Sequence, residues 1–269
     1  MKQRERILKL YDNPLRKLDH VVEKDLLEAE FYNHKAEEFL TNFDESQLLY
    51  NRPDEQTSRH TYFYSLLDNI QDKQVLDCCC GNGADSIIYA KSGAIVHGID
   101  ISEKMLEIAK INTRVNKVLD KVRLYLMSVQ QMAFRDAQFD IVVGRGALHH
   151  LQLQLAGKEI SRVLKKGGKA IFLEPLANSR LLLIWIRSLI PVECFESPGG
   201  GPLTYRDIKY LSRFFRNTYF KEFYLFSKLL RFKIFKRFQK KLERLDEQLF
   251  KNFPFMRKYA GAVVIQFIC

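Results

Sequence analysis

Between Gln74 and Glu174 the chain alternates short, strongly apolar runs with longer stretches of helical periodicity. QVLDC (74–78), AIVHGID (94–100), VRLYLM (122–127), FDIVVG (139–144) and KAIFLE (169–174) are rich in branched apolar residues and short enough to be strands. Between them, GADSIIYAKSG (83–93), SEKMLEIAKINTRVNKV (102–118) and LAGKEISRVLKKGG (155–168) return apolar residues every three or four positions, as helices do. Ser102 is placed to cap the second helix, with Glu103 in its first turn, while Gly93 and the Gly167-Gly168 pair end the first and third. Strands joined by helical crossovers run parallel, and strands this apolar are covered on both faces. The pattern therefore predicts a doubly wound α/β domain.

The flanks read differently. Met1 to about Phe43 has helical character, and LLEAEFYNHKAEEFL (26–40) spaces Leu27, Phe31, Tyr32 and Phe39 as an apolar face. NRPDEQ (51–56) predicts a turn, followed by a helix carrying Tyr62, Phe63, Tyr64, Leu66 and Leu67. Beyond Pro175 come an apolar helix, SRLLLIWIRSLI (179–190), a loop at SPGGGPLT (197–204) and a helix at YRDIKYLSRFF (205–215). Two further strands are expected at KEFYLFS (221–227) and AGAVVIQFI (260–268), separated by the basic helical segment 231–253. The expected architecture is a mostly parallel seven-stranded sheet, with a helical region over 1–72 and a Rossmann-like domain over 73–269. Helical additions fall at 176–218 and 228–258, the latter inserted before the last strand.

Charge sharpens this picture at one end. Gly201 to Lys258 holds 16 Lys and Arg against 5 Asp and Glu, which accounts for the whole net charge of +11. Such a surface attracts phosphate, carboxylate, nucleic acid or anionic lipid headgroups. The longest apolar run, Leu181 to Ile186, is too short to span a bilayer, and the first residues lack a secretion signal, so a cytoplasmic protein is expected. Five cysteines, three of them contiguous at 78–80, form neither a disulfide framework nor the spaced pairs of a zinc site. No metal is expected.

The candidate chemistry lies where the first strand runs into VLDCCCGNGADS (75–86). Gly81-Asn82-Gly83 is a turn that lets a ligand approach the backbone, and Asp100 closes the second strand, where a carboxylate accepts hydrogen bonds from ribose hydroxyls. A dinucleotide fingerprint is disfavoured, because Ser86 replaces its third glycine and Asp85 would face a pyrophosphate. Asp77, inside the strand, suits an ammonium group instead. An adenosine bearing an amino-acid tail is S-adenosyl-L-methionine.

Five motifs in order, VLDCCCGNG, HGIDIS, LMSVQQMAF, FDIVVGRGALHHL and RVLKKGGKAIFLEP, give the chain its resemblance to class I S-adenosylmethionine-dependent methyltransferases of the ubiquinone/menaquinone-biosynthesis type. The resemblance implies an enzyme with S-adenosyl-L-methionine as cofactor. It places Asp77, Gly81, Gly83 and the Gly144 carbonyl around the methionine part, Asp100 on the ribose, and Ile101 and Val129 against the adenine. Cys79 stands at the first glycine of the family's loop, and Ser128 replaces the usual Asp that meets the adenine amino group. His149 and His150, just past the fourth strand, are candidates for a general base, or for a helix cap and a packing residue.

The acceptor is harder to read. GRGALHH lacks the Asn/Asp-Pro-Pro-aromatic run of base-amine methylation and the Pro-Cys of cytosine methylation. A small, apolar or lipid-like acceptor methylated on oxygen or carbon is therefore expected. Trp185 and the aromatics of the N-terminal helices could line its pocket, or simply cover the sheet. The basic segment, with Phe232, Phe235, Phe238 and Leu242, could touch an anionic membrane surface or be a solvated helix face. The alternative reading is an RNA-binding protein or RNA methyltransferase that uses this region as its footprint.

Overall fold

The computed structural model describes residues 19–41, 57–177, 200–226 and 233–269. The expected turn at 51–56, the apolar helix at 179–190 with Trp185, and Phe232 lie outside those residues. The expected strands gather into one sheet of seven, in the order β3-β2-β1-β4-β5-β7-β6. They are β1 (Gln74–Cys78), β2 (Ile95–Asp100), β3 (Val122–Leu126), β4 (Phe139–Arg145), β5 (Leu164–Pro175), β6 (Asn217–Phe223) and β7 (Ala262–Ile268). The first five are mutually parallel; β7 runs antiparallel between β5 and β6. The chain winds outward from β1 to β3 and then crosses back to β4, so the crevice of an open α/β sheet falls at the carboxyl ends of β1 and β4.

Alternation along each strand sends neighbouring side chains to opposite faces, and here both faces are dry. Leu76, Val142, Ala170 and Phe172 enter one core, and Val75, Val96, Ile141, Val143 and Ile171 enter the other. The first core is closed by α5 (Leu153–Val163), α6 (Tyr205–Leu211) and Phe250 of α7 (Gln239–Asn252), the second by α2 (Ser58–Ser65) and α3 (Ala84–Lys91). Helix α4 (Glu103–Val115) packs on β2 and β3, and α1 (Asp19–Thr41) lies against α4. Ser102 caps α4 as expected, accepting from the Met105 amide at 3.1 Å. Thr204 and Asp207 form a reciprocal capping box at the start of α6.

Three local expectations shift. Helix α5 ends at Val163 rather than at the glycine pair, because Leu164 already pairs with Phe139 and the strand bulges before rejoining β4 at Lys169–Ile141. Gly167, at φ +76°, lies within that bulge. Strand β6 lies four residues earlier than the expected 221–227. Tyr224 turns left-handed at φ +66°, and the Leu225 and Phe226 amides are taken by Asp246 of α7, so the apolar tail leaves the sheet. The third shift concerns α1. Leu27 and Phe39, read as apolar face, are 47% and 37% exposed, while Asp25, Glu28, Ala29 and Ala36 are buried.

Gly144 of β4 is required by packing alone. A Cβ there would lie 2.6 Å from the Phe172 ring. Gly144→Ala should destabilise the protein by roughly 1–3 kcal/mol through overpacking, and adding Phe172→Leu should recover part of that loss. Urea midpoints of the two variants check this; an unchanged midpoint in the single variant would refute it.

Candidate functional site

The carboxyl end of β1 turns through three left-handed residues, Cys79 (φ +55°), Gly81 (φ +52°) and Gly83 (φ +76°). A Cβ at Gly81 would meet nothing within 4 Å, so this glycine serves conformation and leaves the backbone open to a ligand. At Gly83 a Cβ would approach Ala109 to 3.0 Å; the glycine lets the start of α3 pack against α4. Cys79 occupies a conformation that costs a non-glycine residue about 1–2 kcal/mol. That explains physically why glycine is usual there. Asn112 of α4 donates to the Asn82 carbonyl at 2.7 Å and holds the turn from the far side.

Asp100, buried at the end of β2, clasps this turn. Its carboxylate accepts from the Gly81 amide at 2.8 Å and from the Ser102 amide at 2.9 Å. Burial raises its pKa, and these backbone donors pull in the opposite direction. Asp77 lies deeper and accepts from the Ser86 hydroxyl at 2.5 Å. Burial, then the Asp85 charge, pushes its carboxyl up to about 8. Asp85, whose charge counted against a pyrophosphate in the sequence, is engaged within the protein by the Tyr64 hydroxyl at 2.5 Å and Arg145 at 2.8 Å.

The thiols of Cys78, Cys79 and Cys80 are all pushed well up by burial, which keeps them protonated and unreactive near neutral pH. Cys80 is adjacent to the bare backbone of Gly98, where a Cβ would meet its sulfur at 3.0 Å. Among the described residues no cluster of His, Cys, Asp or Glu is placed to hold a metal ion.

Beside the turn, at the ends of β4 and β5, stands an arrangement that the sequence pattern only half disclosed. Glu174, fully inside β5, accepts from the Ala147 and Leu148 amides with one oxygen, both at 2.8 Å, and meets His149 Nδ1 at 2.7 Å with the other. An acceptor on both oxygens fixes the His149 proton on Nδ1 and leaves Nε2 as the basic nitrogen. That Nε2 has no hydrogen-bond partner among the described residues. The ring of His150 lies 3.9 Å away, but both its nitrogens are engaged from α1, Nδ1 by Glu28 and Nε2 by the Tyr32 hydroxyl, each at 3.3 Å. The two histidines therefore have different roles open to them: only His149 has a nitrogen ready to take a proton.

Helix α1 covers the site with a polar stripe. Asp25, Glu28 and Tyr32 recur at three- and four-residue spacing, with Asn33 beside Tyr32. Asp25 meets Ser128 at 2.8 Å and Gln130 at 2.7 Å, and Asn33 accepts from the Ser102 hydroxyl at 2.7 Å. Ser128 and Val129 are buried at the end of β3, and Ile101 is half-buried just after Asp100. The negative charges of Asp100, Glu174 and Asp25 all act on the Cys79 thiol, so these elements converge on one place. The missed members are Glu174, a carboxylate in an otherwise apolar strand, and the α1 stripe. Tyr32 belongs both to the apolar spacing expected of α1 and to this stripe; Asp25 and Glu28, one turn apart and leading to Tyr32, are the signal in the sequence that this side of the helix is polar.

Comparison with known proteins gives the class. Residues 76–172 match the methyltransferase domain family, of the type numbered 11. The segment is a class I S-adenosylmethionine-dependent methyltransferase domain, as its five motifs suggested, and S-adenosyl-L-methionine is the cofactor of that class. An uncharacterized methyltransferase of Synechocystis is 37% identical over 140 residues, covering 51% of this chain and 62% of that one. A demethylmenaquinone methyltransferase of Staphylococcus aureus is 38% identical over 105 residues, or 38% of this chain and 42% of that one. The matches thus span less than two thirds of these relatives. Geranyl diphosphate C-methyltransferase from Streptomyces coelicolor, solved with geranyl diphosphate and S-adenosyl-L-homocysteine, shares the fold at a TM-score of 0.57 and 13% identity, covering 91% of this chain and 97% of that one.

The residues fit the cofactor on their own evidence: an open glycine turn, a buried carboxylate clasping it, and a deeper carboxyl lifted by burial that an ammonium group would ionise. The last point has a pH signature. Asp77 takes up a proton on folding between about pH 3.8 and about 8, so its contribution to stability falls as pH rises through that window. Ligand-free Asp77→Asn, which cannot ionise, should gain about 1–3 kcal/mol on the wild type between pH 5 and pH 8. Urea denaturation at both pH values measures this; parallel pH dependences would refute it.

Proposed function

We propose that the chain transfers a methyl group from S-adenosyl-L-methionine to the oxygen or carbon of a small, hydrophobic or lipid-like acceptor. The observation that carries this reading is the Glu174–His149 pair beside the glycine turn, with His149 Nε2 left basic. The cofactor, when bound, supplies a methyl group already activated on its sulfonium. The protein's work is then to hold and align the reactants, exclude water and, for an acceptor that must lose a proton, remove it.

In this reading Asp100 receives the ribose hydroxyls, and the Gly81–Gly83 turn, Cys79, Asp77 and the Gly144 carbonyl surround the methionine part. Ile101, Ser128 and Val129 bound the adenine. His149 is the general base, oriented by Glu174, and His150 positions α1 over the site through Glu28 and Tyr32. Residues 1–72 form the lid side and 73–269 the catalytic domain. Asp100→Ala should lower S-adenosyl-L-homocysteine affinity at least ~100-fold in calorimetry, since it removes a charged partner and the clasp on Gly81. His149→Ala should spare that affinity and lower turnover by ~100- to 10,000-fold. Retained affinity in the Asp100 variant would refute the first assignment, and retained turnover in the His149 variant the second.

The similarity to demethylmenaquinone methyltransferase supports a lipid-like acceptor. The basic C-terminal face supports contact with an anionic membrane surface: exposed Phe220, Phe253 and Phe255, the last 64% exposed, stand among Lys251, Arg257 and Lys258. A cavity of about 450 Å³ between β6 and α7 shares no residue with the glycine turn; it is lined by Lys221, Lys251 and Arg257 but also by Glu222, Glu243, Asp246 and Glu247, so it adds nothing to the basic character of this face. Labelled S-adenosylmethionine incubated with lipid extract in vesicles should label an organic-soluble product, faster on anionic than on neutral vesicles and less so in high salt. Label appearing only in RNA would overturn the proposal and favour an RNA methyltransferase.

A further inference from the structure

The His149 ring is held on several sides. Glu174 takes its Nδ1 at 2.7 Å, and the His150 ring lies 3.9 Å away. The backbone at Gly200 runs along its Cδ2 edge, so closely that a Cβ there would lie 3.2 Å from Cδ2 and 2.9 Å from His150 Nδ1. The Cε1 corner, the carbon bonded to Nε2 on the other side, faces Gly146. A Cβ at Gly146 would meet that carbon at 3.6 Å and, its chain neighbours apart, no other atom of the described residues within 4 Å. Approach to Nε2 is therefore closed on the Gly200 side and bare on the Gly146 side.

This bare backbone is also pinned. The Gly146 amide donates to the Leu173 carbonyl at 2.8 Å, and the next two amides, of Ala147 and Leu148, donate to Glu174, each at 2.8 Å. With three successive amides tied to the end of β5, the surface at Gly146 cannot sink to make room for an added group. Gly146 follows Gly144 by two residues, and the Gly144 carbonyl is the group expected beside the methionine part of the cofactor. The space over Gly146 thus lies between the methyl donor and the base.

An acceptor that gives a proton to His149 as it takes the methyl group has its reacting atom within reach of both. We infer that this atom sits over the bare backbone of Gly146, and that Gly146 is a specificity-determining residue, setting how much bulk the acceptor carries beside its reacting oxygen or carbon. An alanine there would leave His149 in place, since 3.6 Å is ordinary van der Waals contact, and would occupy the acceptor's position instead. The inference rests on the reading of His149 as general base proposed above.

The test must separate bulk from backbone strain, because Gly146 is left-handed at φ +66°. Gly167 is the control: at φ +76° it has the same backbone demand, and a Cβ there meets nothing within 4 Å among the described residues. Gly146→Ala should pass label from S-adenosylmethionine to the organic-soluble product of a lipid extract roughly 10- to 100-fold more slowly than the wild type, with S-adenosyl-L-homocysteine affinity retained. Gly167→Ala should match the wild type in both. A second measurement needs no acceptor: diethyl pyrocarbonate transfers an ethoxycarbonyl group to an unprotonated imidazole nitrogen. In the wild type it should modify His149 before His150, both of whose nitrogens are engaged. In Gly146→Ala the modification of His149 should be roughly 10-fold slower than in Gly167→Ala, since the added methyl screens the approach to Nε2. Equal rates in the two alanine variants, in either assay, would overturn the inference, as would a wild type in which His150 reacts first. Retained turnover in His149→Ala, or a wild type that labels no organic-soluble product, would instead overturn the reading on which it rests. The wild-type arm needs no substitution, so the test survives a variant that fails to fold.

Discussion

The rest of the site depends on one buried carboxylate. Asp100 ends β2 and reaches across to the Gly81 amide in the turn after β1, while its second oxygen takes the Ser102 amide where α4 begins. The turn after β1 and the start of α4 are thereby both tied to the end of β2 through a single buried carboxylate. The left-handed geometry of Cys79, Gly81 and Gly83 aims the turn, but the clasp keeps it in that shape.

From that clasp outward the site is assembled from groups that each need a partner. Asp77 is uncomfortable without a cation, and Glu174 is satisfied only because two amides and an imidazole converge on it. Asp25 and Glu28 are buried on a helix that leaves Leu27 and Phe39 exposed. Burying carboxylates is costly unless donors meet them, so a helix that lays an acidic stripe into a core invites a functional explanation.

The sheet was legible because its residues obey a simple rule. Strands buried on both faces must be apolar throughout, and crossover helices must be amphipathic, so 74–174 betrayed its architecture in residue type alone. The errors came where a local interaction outweighed propensity. The tail of 221–227 looks like a strand, yet two of its amides are captured by Asp246, and the end of α5 gave way to a bulge paired with β4. Asp77, Asp100 and the glycines were legible from their spacing at strand ends. Glu174 and the α1 stripe were not, because their meaning comes from partners more than twenty residues away, as with Glu174–His149, or more than a hundred, as with Asp25–Ser128.

Helix α1 joins two halves of the site on one rod. Asp25 engages the end of β3, and Glu28 and Tyr32, one and two turns on, engage His150 beside the proton-accepting His149. Whatever shifts α1 at its Asp25 end therefore also shifts Glu28 and Tyr32 beside the histidines. Linkage makes this mutual: if cofactor binding helps seat the helix, an acceptor that helps seat it must tighten the cofactor by the same factor. The two substrates would then sense each other through a shared backbone, without needing to touch.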